Sequence, residues 1–356
     1  MKTMLLALLI SALIILPISS SSSSSSPPKR AGPPAHYVIR SSDLPTTLQF
    51  LTKVLHLRVL RHEENPTPCA ITCNGEYAVP WSKTMVGTAP EDEAYALEVT
   101  YNYGIAGYER GTMLVGFGIY VDDLVDSIET AMELGYAVKG RVVTGPDGYR
   151  YRLEYRPEHK LDRRREPFHT VYFAVPDPEA TADWYSETIG AVPVPVENER
   201  GADRTIGFHP EGQAATLGWK GEGVVFHFTT ATGGSTGEGA VTQFDGRNAL
   251  SLPAEQIRSI HKTLLEKQPE RIAHELQELD EGNVGLGILL ILIITDPNGL
   301  ELCLVSSEAF EPAIRDAADF IGPDYESRKK LAIEYSEAVA SAKEEKPDTF
   351  GWAVEL

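Results

Sequence analysis

His36-Tyr-Val-Ile-Arg-Ser-Ser-Asp43, followed by Leu44-Pro45, is the stretch on which the fold turns. Its first residues read as a short strand. Asp43 can accept hydrogen bonds from the first free amides of a helix, and Pro45 suits a first turn whose N–H needs no partner. Leu44, Leu48, Leu51 and Leu55 then fall on one helical face. Strand-like runs come next, Leu57-Arg-Val-Leu60 and Tyr95-Ala-Leu-Glu-Val-Thr-Tyr101, the latter rich in residues that suit a pleated surface. The order is strand, helix, strands: a βαβββ module.

The same order recurs along the chain. Leu114-Val-Gly-Phe-Gly-Ile-Tyr-Val-Asp-Asp123 opens a second module, with a helix stopped near Gly135 and a closing strand after the turn Gly145-Pro-Asp-Gly148. Phe168-His-Thr-Val-Tyr-Phe-Ala-Val-Pro-Asp177 opens a third, whose helix carries Trp184, Tyr185 and Ile189 before Gly190. A fainter fourth start lies at Arg247-Asn-Ala-Leu-Ser-Leu252. It closes on the apolar run Ile288–Ile294, the turn Asp296-Pro-Asn-Gly299 and the strand Leu300–Val305. That run is too short to cross a bilayer and reads as a core strand.

The expected organisation follows from these repeats. Residues 1–20 form a targeting segment: Lys2, an apolar run from Met4 to Leu16, and Pro17 have the proportions of a signal peptide. An uncleaved anchor is the alternative, and small serines after the run favour cleavage, which leaves no stable membrane span. The expected route is the secretory pathway, with secretion and delivery to an organelle both open. Residues 21–35, rich in Ser and Pro, cannot bury apolar surface and are expected to be disordered. Two consecutive modules then make a first domain at 36–158, a charged linker spans 159–166, two more modules make a second domain at 167–307, and 308–356 form an acidic helical tail.

Fifty-one acidic residues against 32 basic ones give a net charge of −19, which excludes nucleic acid as a partner, since phosphate binding needs surplus Lys and Arg. An anionic substrate requires a local cation set against this field. The three cysteines, Cys69, Cys73 and Cys303, cannot form a disulfide framework and read as structural.

Strand, helix, glycine and a closing Asp-Pro-Asn-Gly before a last strand, with Leu60-Arg-His-Glu-Glu64, Cys73-Asn-Gly75, Trp81-Ser-Lys-Thr-Met-Val-Gly87 and Leu97-Glu-Val-Thr-Tyr-Asn-Tyr-Gly104, resemble the vicinal-oxygen-chelate (glyoxalase I) superfamily. The resemblance covers His36 to Phe310. It implies an α+β fold in which tandem βαβββ modules form two half-barrel bowls. It also implies a divalent metal such as zinc or nickel, held by a His or Gln opening each module and a Glu on its last strand. The chemistry implied is isomerisation of a glutathione–aldehyde adduct, the metal stabilising an enediolate and a carboxylate shuttling the proton.

Tested position by position, module one carries His36 and Glu98 as metal ligands. Arg40 and Asn102 stand where the family binds a glutathione carboxylate. Module two has Gly116 and Arg152 at its ligand positions, with Glu154 as the candidate for a displaced carboxylate and catalytic base. The remaining positions read Thr170, about Thr216, Arg247 and Cys303; His169 is expected to point away from Thr170. These residues suggest a divergent glyoxalase-fold protein with half a metal site, part of a glutathione-type anion site, and little isomerase activity. An active metal-dependent lactoylglutathione lyase-like enzyme and a non-catalytic scaffold contacting partners through its acidic tail are the alternatives.

Overall fold

A computed structural model describes residues 30, 32–65, 67–69, 71–155, 166–194, 214–219, 223–231, 244–279 and 288–318. The signal-like run, the serine tract, the basic linker 159–165 and the tail beyond 318 lie outside them. Among the described residues no helix is long and apolar enough to cross a membrane.

The modules are all present. The first comprises β1 (Pro34–Ser41), α1 (Leu44–Lys53), β2 (Arg58–Asn65), β3 (Trp81–Gly87) and β4 (Ala96–Asn102). The second comprises β5 (Leu114–Val121), α2 (Leu124–Glu133), β6 (Ala137–Lys139), β7 (Val142–Thr144) and β8 (Arg150–Tyr155). The third has β9 (Phe168–Val175), α3 (Pro178–Ile189), β10 (Val192–Pro193), β11 (Ala214–Gly218) and β12 (Val225–Thr230). The fourth has β13 (Arg247–Leu252), α4 (Ala254–Lys267), β14 (Ile272–Leu279), β15 (Leu289–Thr295) and β16 (Glu301–Ser306), and α5 (Ser307–Ala318) follows it.

The aspartates that end β1, β5 and β9 cap the helices after them. Asp43 accepts from the Thr46 amide, Asp123 from Val125 and Asp126, and Asp177 from Ala180. The fourth module has Pro253 at this position, and the Ala254 amide is met instead by Glu308 of α5, at 3.1–3.2 Å. This substitution is why the fourth start is faint in the sequence.

The pairing of modules differs from the expected consecutive one. One eight-stranded sheet runs β14-β15-β16-β13-β1-β4-β3-β2, and the other β10-β11-β12-β9-β5-β8-β7-β6. Module one therefore shares a sheet with module four, and module two with module three, through the antiparallel contacts β1–β13 and β5–β9. The residues either side of the charged linker belong to one sheet, so bowls built from 36–158 alone and 167–307 alone do not form. All four opening strands carry the same alternation, so periodicity could not say which edges meet.

One face of each sheet meets a common core. Tyr37 packs edge-on against Phe117 (centroids 5.2 Å apart) and near Phe173, and Tyr95 packs against Phe168. The opposite face, here the bowl face, carries the residues of alternate parity.

Candidate functional site

In the sheet of modules one and four, Ile39, Leu97, Leu250 and Leu302 enter the core. His36 and Arg40 on β1, Glu98 and Asn102 on β4, Arg247 on β13 and Cys303 on β16 consequently share the bowl face. The register confirms the set: Val38 pairs with both Glu98 and Arg247, and Ala249 with both His36 and Cys303. The four positions for which the family resemblance implies metal ligands, in this bowl, are His36, Glu98, Arg247 and Cys303.

His36 and Glu98 are 8% and 6% exposed, and His36 Nε2 lies 3.3 Å from Glu98 Oε2. Burial alone would raise the Glu98 pKa. The hydrogen bond and charge of His36, then the Lys83 and Arg40 cations, outweigh it and hold the carboxyl down at about 2. An ion network, partly exposed at Glu63 and Lys83, continues across the face. Lys83 Nζ is 2.9 Å from Glu63, Glu63 pairs with Arg61, Arg61 lies 3.2 Å from the fully buried Glu91, and Glu91 stands 4.0 Å from His36 Nδ1. Sequence reasoning missed this network. Its signal was the alternation of Arg61 and Glu63 on β2 opposite Lys83 on β3.

The other two positions do not suit a metal. Arg247 places a guanidinium there, repulsive to a divalent cation, and pairs with Glu301, its Nε lying 2.8 Å from the carboxylate. Burial pushes the Cys303 thiol up to about 11, away from the thiolate that would ligate. Among the described residues no group of three or more His, Cys, Asp or Glu could hold a metal ion. The residues present do not fit the four-ligand centre that the family resemblance implies.

Arg40 and Asn102 are brought together as expected, but both hold the chain's own loop. Arg40 Nη1 donates to the Cys73 carbonyl at 2.7 Å. Asn102 Oδ1 accepts from Asn74 Nδ2 at 3.1 Å, and its Nδ2 donates to the Asn74 carbonyl at 3.0 Å and the Tyr108 hydroxyl at 3.2 Å. Cys69 and Cys73, read from the sequence as structural, are joined by a disulfide bond. Helix α5 covers the same bowl, with the Phe310 ring 6.3 Å from that of His36.

Glu154 does not reach this site. It lies on β8 in the other sheet, where Arg152 Nε is 3.1 Å and His169 Nε2 3.7 Å from its carboxylate. It cannot complete a shell around His36 and Glu98, because module two is not module one's partner. His169 also departs from expectation. Gly118 pairs with Thr170 and Ile119 with Phe168, leaving His169 as the extra residue of a bulge. Its ring turns onto the bowl face, lies tilted against Tyr120 with the centroids 4.4 Å apart, and hydrogen-bonds Thr170 Oγ1. It fits only because residue 118 is glycine: a Cβ there would sit 2.4 Å from the ring. The last-strand position of module three is His227 on β12, which pairs with Tyr172, rather than Thr216, which lies on the neighbouring β11 and meets His227 Nδ1 at 2.7 Å. The alternation Val225-Phe-His-Phe-Thr229 was the signal for it.

Two sheets of opposed βαβββ modules with ligand-type positions on their bowl faces define a class of protein. Residues 34–158 match the Glyoxalase/Bleomycin resistance protein/Dioxygenase superfamily, and the chain belongs to that family. Within it, the chain is 30% identical over 277 residues to Glyoxalase domain-containing protein 4 of Mus musculus, covering 77% of this chain and 85% of the relative. It is 34% identical over 130 residues to the Lactoylglutathione lyase of Escherichia coli O157:H7, covering 33% of this chain and 88% of that protein. Glyoxalase I from Zea mays superposes with a TM-score of 0.57 at 21% identity, over 80% of this chain and 95% of that one, a likeness of fold.

Proposed function

We propose that this chain is a divergent glyoxalase-fold protein that binds a small carboxylate-bearing molecule of glutathione type in the bowl of modules one and four, without isomerising it. The observation that carries the reading is Arg247. A guanidinium paired with Glu301 occupies a ligand position, so His36 and Glu98 stand as half a metal centre, and zinc or nickel should bind only weakly there. Arg40 and Arg247 supply the local cations that so acidic a chain needs for an anionic ligand. Isomerisation needs a base beside the abstracted proton, and His36 and Glu98 are engaged with each other.

The test is the rate of conversion of the methylglyoxal–glutathione adduct by the mature chain with added zinc or nickel, beside titration with S-methylglutathione. Binding without turnover is expected. Turnover at the rate of an authentic lactoylglutathione lyase would overturn the proposal and favour the second reading, an active metal enzyme. The likeness to the Escherichia coli lyase supports that reading.

A further inference from the structure

Three bowl-face side chains converge on one short piece of backbone. Arg247 Nη1 donates to the Ile71 carbonyl at 3.2 Å, and its Nη2 donates to the Thr72 carbonyl at 3.1 Å and Thr72 Oγ1 at 2.8 Å. Arg40 Nη1 donates to the Cys73 carbonyl, and Asn102 accepts from the Asn74 side-chain Nδ2 and donates to the Asn74 backbone carbonyl. The four residues Ile71–Asn74 thus present successive oxygens to two guanidiniums and an amide. The two cations are close enough that, after burial itself, Arg247 is the main cause holding the Arg40 pKa below its ordinary value.

The segment is strained and pinned at both ends. Thr72 is β-branched yet has φ 56, a left-handed conformation that such residues avoid. The Cys69–Cys73 bond closes the loop across it, and the Cys69 amide donates to Asn74 Oδ1 at 3.1 Å. Its only large apolar anchor is Ile71, which joins Ile291, Ile293 and Val305. Arg247 keeps the Glu301 carboxylate on Nε and Nη2. The loop carbonyls on its other N–H groups and on Arg40 are weaker partners than a ligand carboxylate, which makes charge-assisted bonds about twice as strong.

We infer that Ile71–Asn74 is a built-in plug on the anion site of Arg40, Arg247 and Asn102, and that the Cys69–Cys73 disulfide latches it there. The inference rests on the anion-binding reading above and adds its control. The latch opens by thiol–disulfide exchange: a dithiol reductant, or two monothiols, delivers two electrons and two protons, the Cys69–Cys73 S–S bond breaks to two thiols, and the reductant leaves as its own disulfide. Thr72 can then leave the left-handed region, the carbonyls swing out, and a ligand carboxylate takes their place. Where the plugged state outnumbers the open one by about ten to one, the apparent affinity of the oxidised protein is reduced by about the same factor.

The experiment is calorimetric titration of S-methylglutathione, which carries no free thiol, into the full chain as purified and after reduction with a phosphine. Thiol titration in denaturant should first find one thiol as purified and three after reduction, since Cys303 is free. Reduction should tighten binding about tenfold. Asn74→Ala, which keeps the disulfide but removes the amide ladder to Asn102, should tighten it in the same direction, so the inference remains testable if the reduced protein loses its fold. Equal affinity in the purified protein, the reduced protein and Asn74→Ala would overturn the plug while leaving the anion site standing. No binding in any of them would overturn both. Three thiols in the purified protein would remove the latch.

Discussion

Replacing Glu98 with Gln tests the electrostatics of the bowl directly. Glu98 is buried with His36 3.3 Å away, and its pKa is held at about 2 against an ordinary 4.5. Because the folded value is the lower one, the carboxylate contributes stability in full above the unfolded value and loses it as pH falls from about 5 towards 2. A difference of about 2.5 pH units is worth about 3 kcal/mol at pH 7 and between about 1 and 2 kcal/mol at pH 3. Glu98→Gln keeps the shape but not the charge. Urea unfolding of the wild type and the variant at both pH values should show a cost near 3 kcal/mol at pH 7 that shrinks by about half at pH 3. A cost that is the same at both pH values would refute the reasoning and show that Gln disturbs packing instead. A cost near zero at pH 7 would mean that His36, Lys83 and Arg40 do not offset the burial of the charge.

Gly118→Ala should lower stability by about 1–3 kcal/mol in thermal or urea unfolding, since its new methyl would collide with the His169 ring held against Tyr120. Cutting the chain at an engineered protease site between Arg163 and Arg165 should leave two fragments that co-elute on size exclusion, because each sheet draws strands from both; separate folded halves would contradict the topology. Elemental analysis of the dialysed protein should find well under one zinc or nickel per chain, and the double change Arg247→His, Cys303→Glu should raise it, whereas Gly116→His, Arg152→Glu, in the other sheet, should leave the His36–Glu98 site unchanged. We also propose that residues 1–20 direct the chain into the secretory pathway: a reporter carrying them should be found in that pathway, and one that stays in the cytosol would refute this.

Much of the fold was legible in the chain. Asp43, Asp123 and Asp177 end their strands and cap their helices because a short carboxylate satisfies amides that a helix start leaves open, a local requirement visible in sequence. The apolar run before Asp296-Pro-Asn-Gly299 is a buried strand because nothing else can hold so many branched residues side by side. His36, Arg40, Glu98 and Asn102 share a face because each pair is four residues apart on a strand, and alternation fixes that without reference to anything else. What the tertiary structure alone decided is which modules meet. The edge pairing of modules one and four joins residues more than 200 positions apart, such as His36 with Ala249, and four edges of like pattern offer several solutions of equal local quality. That choice put Arg247 and Cys303, not Gly116 and Arg152, beside His36 and Glu98, and sent Glu154 to the other sheet. A one-residue bulge turned His169 inward against its expected parity. The loop that fills the bowl was also invisible in sequence, because its partners, Arg40 on β1, Asn102 on β4 and Arg247 on β13, become neighbours only when the sheet of modules one and four has formed.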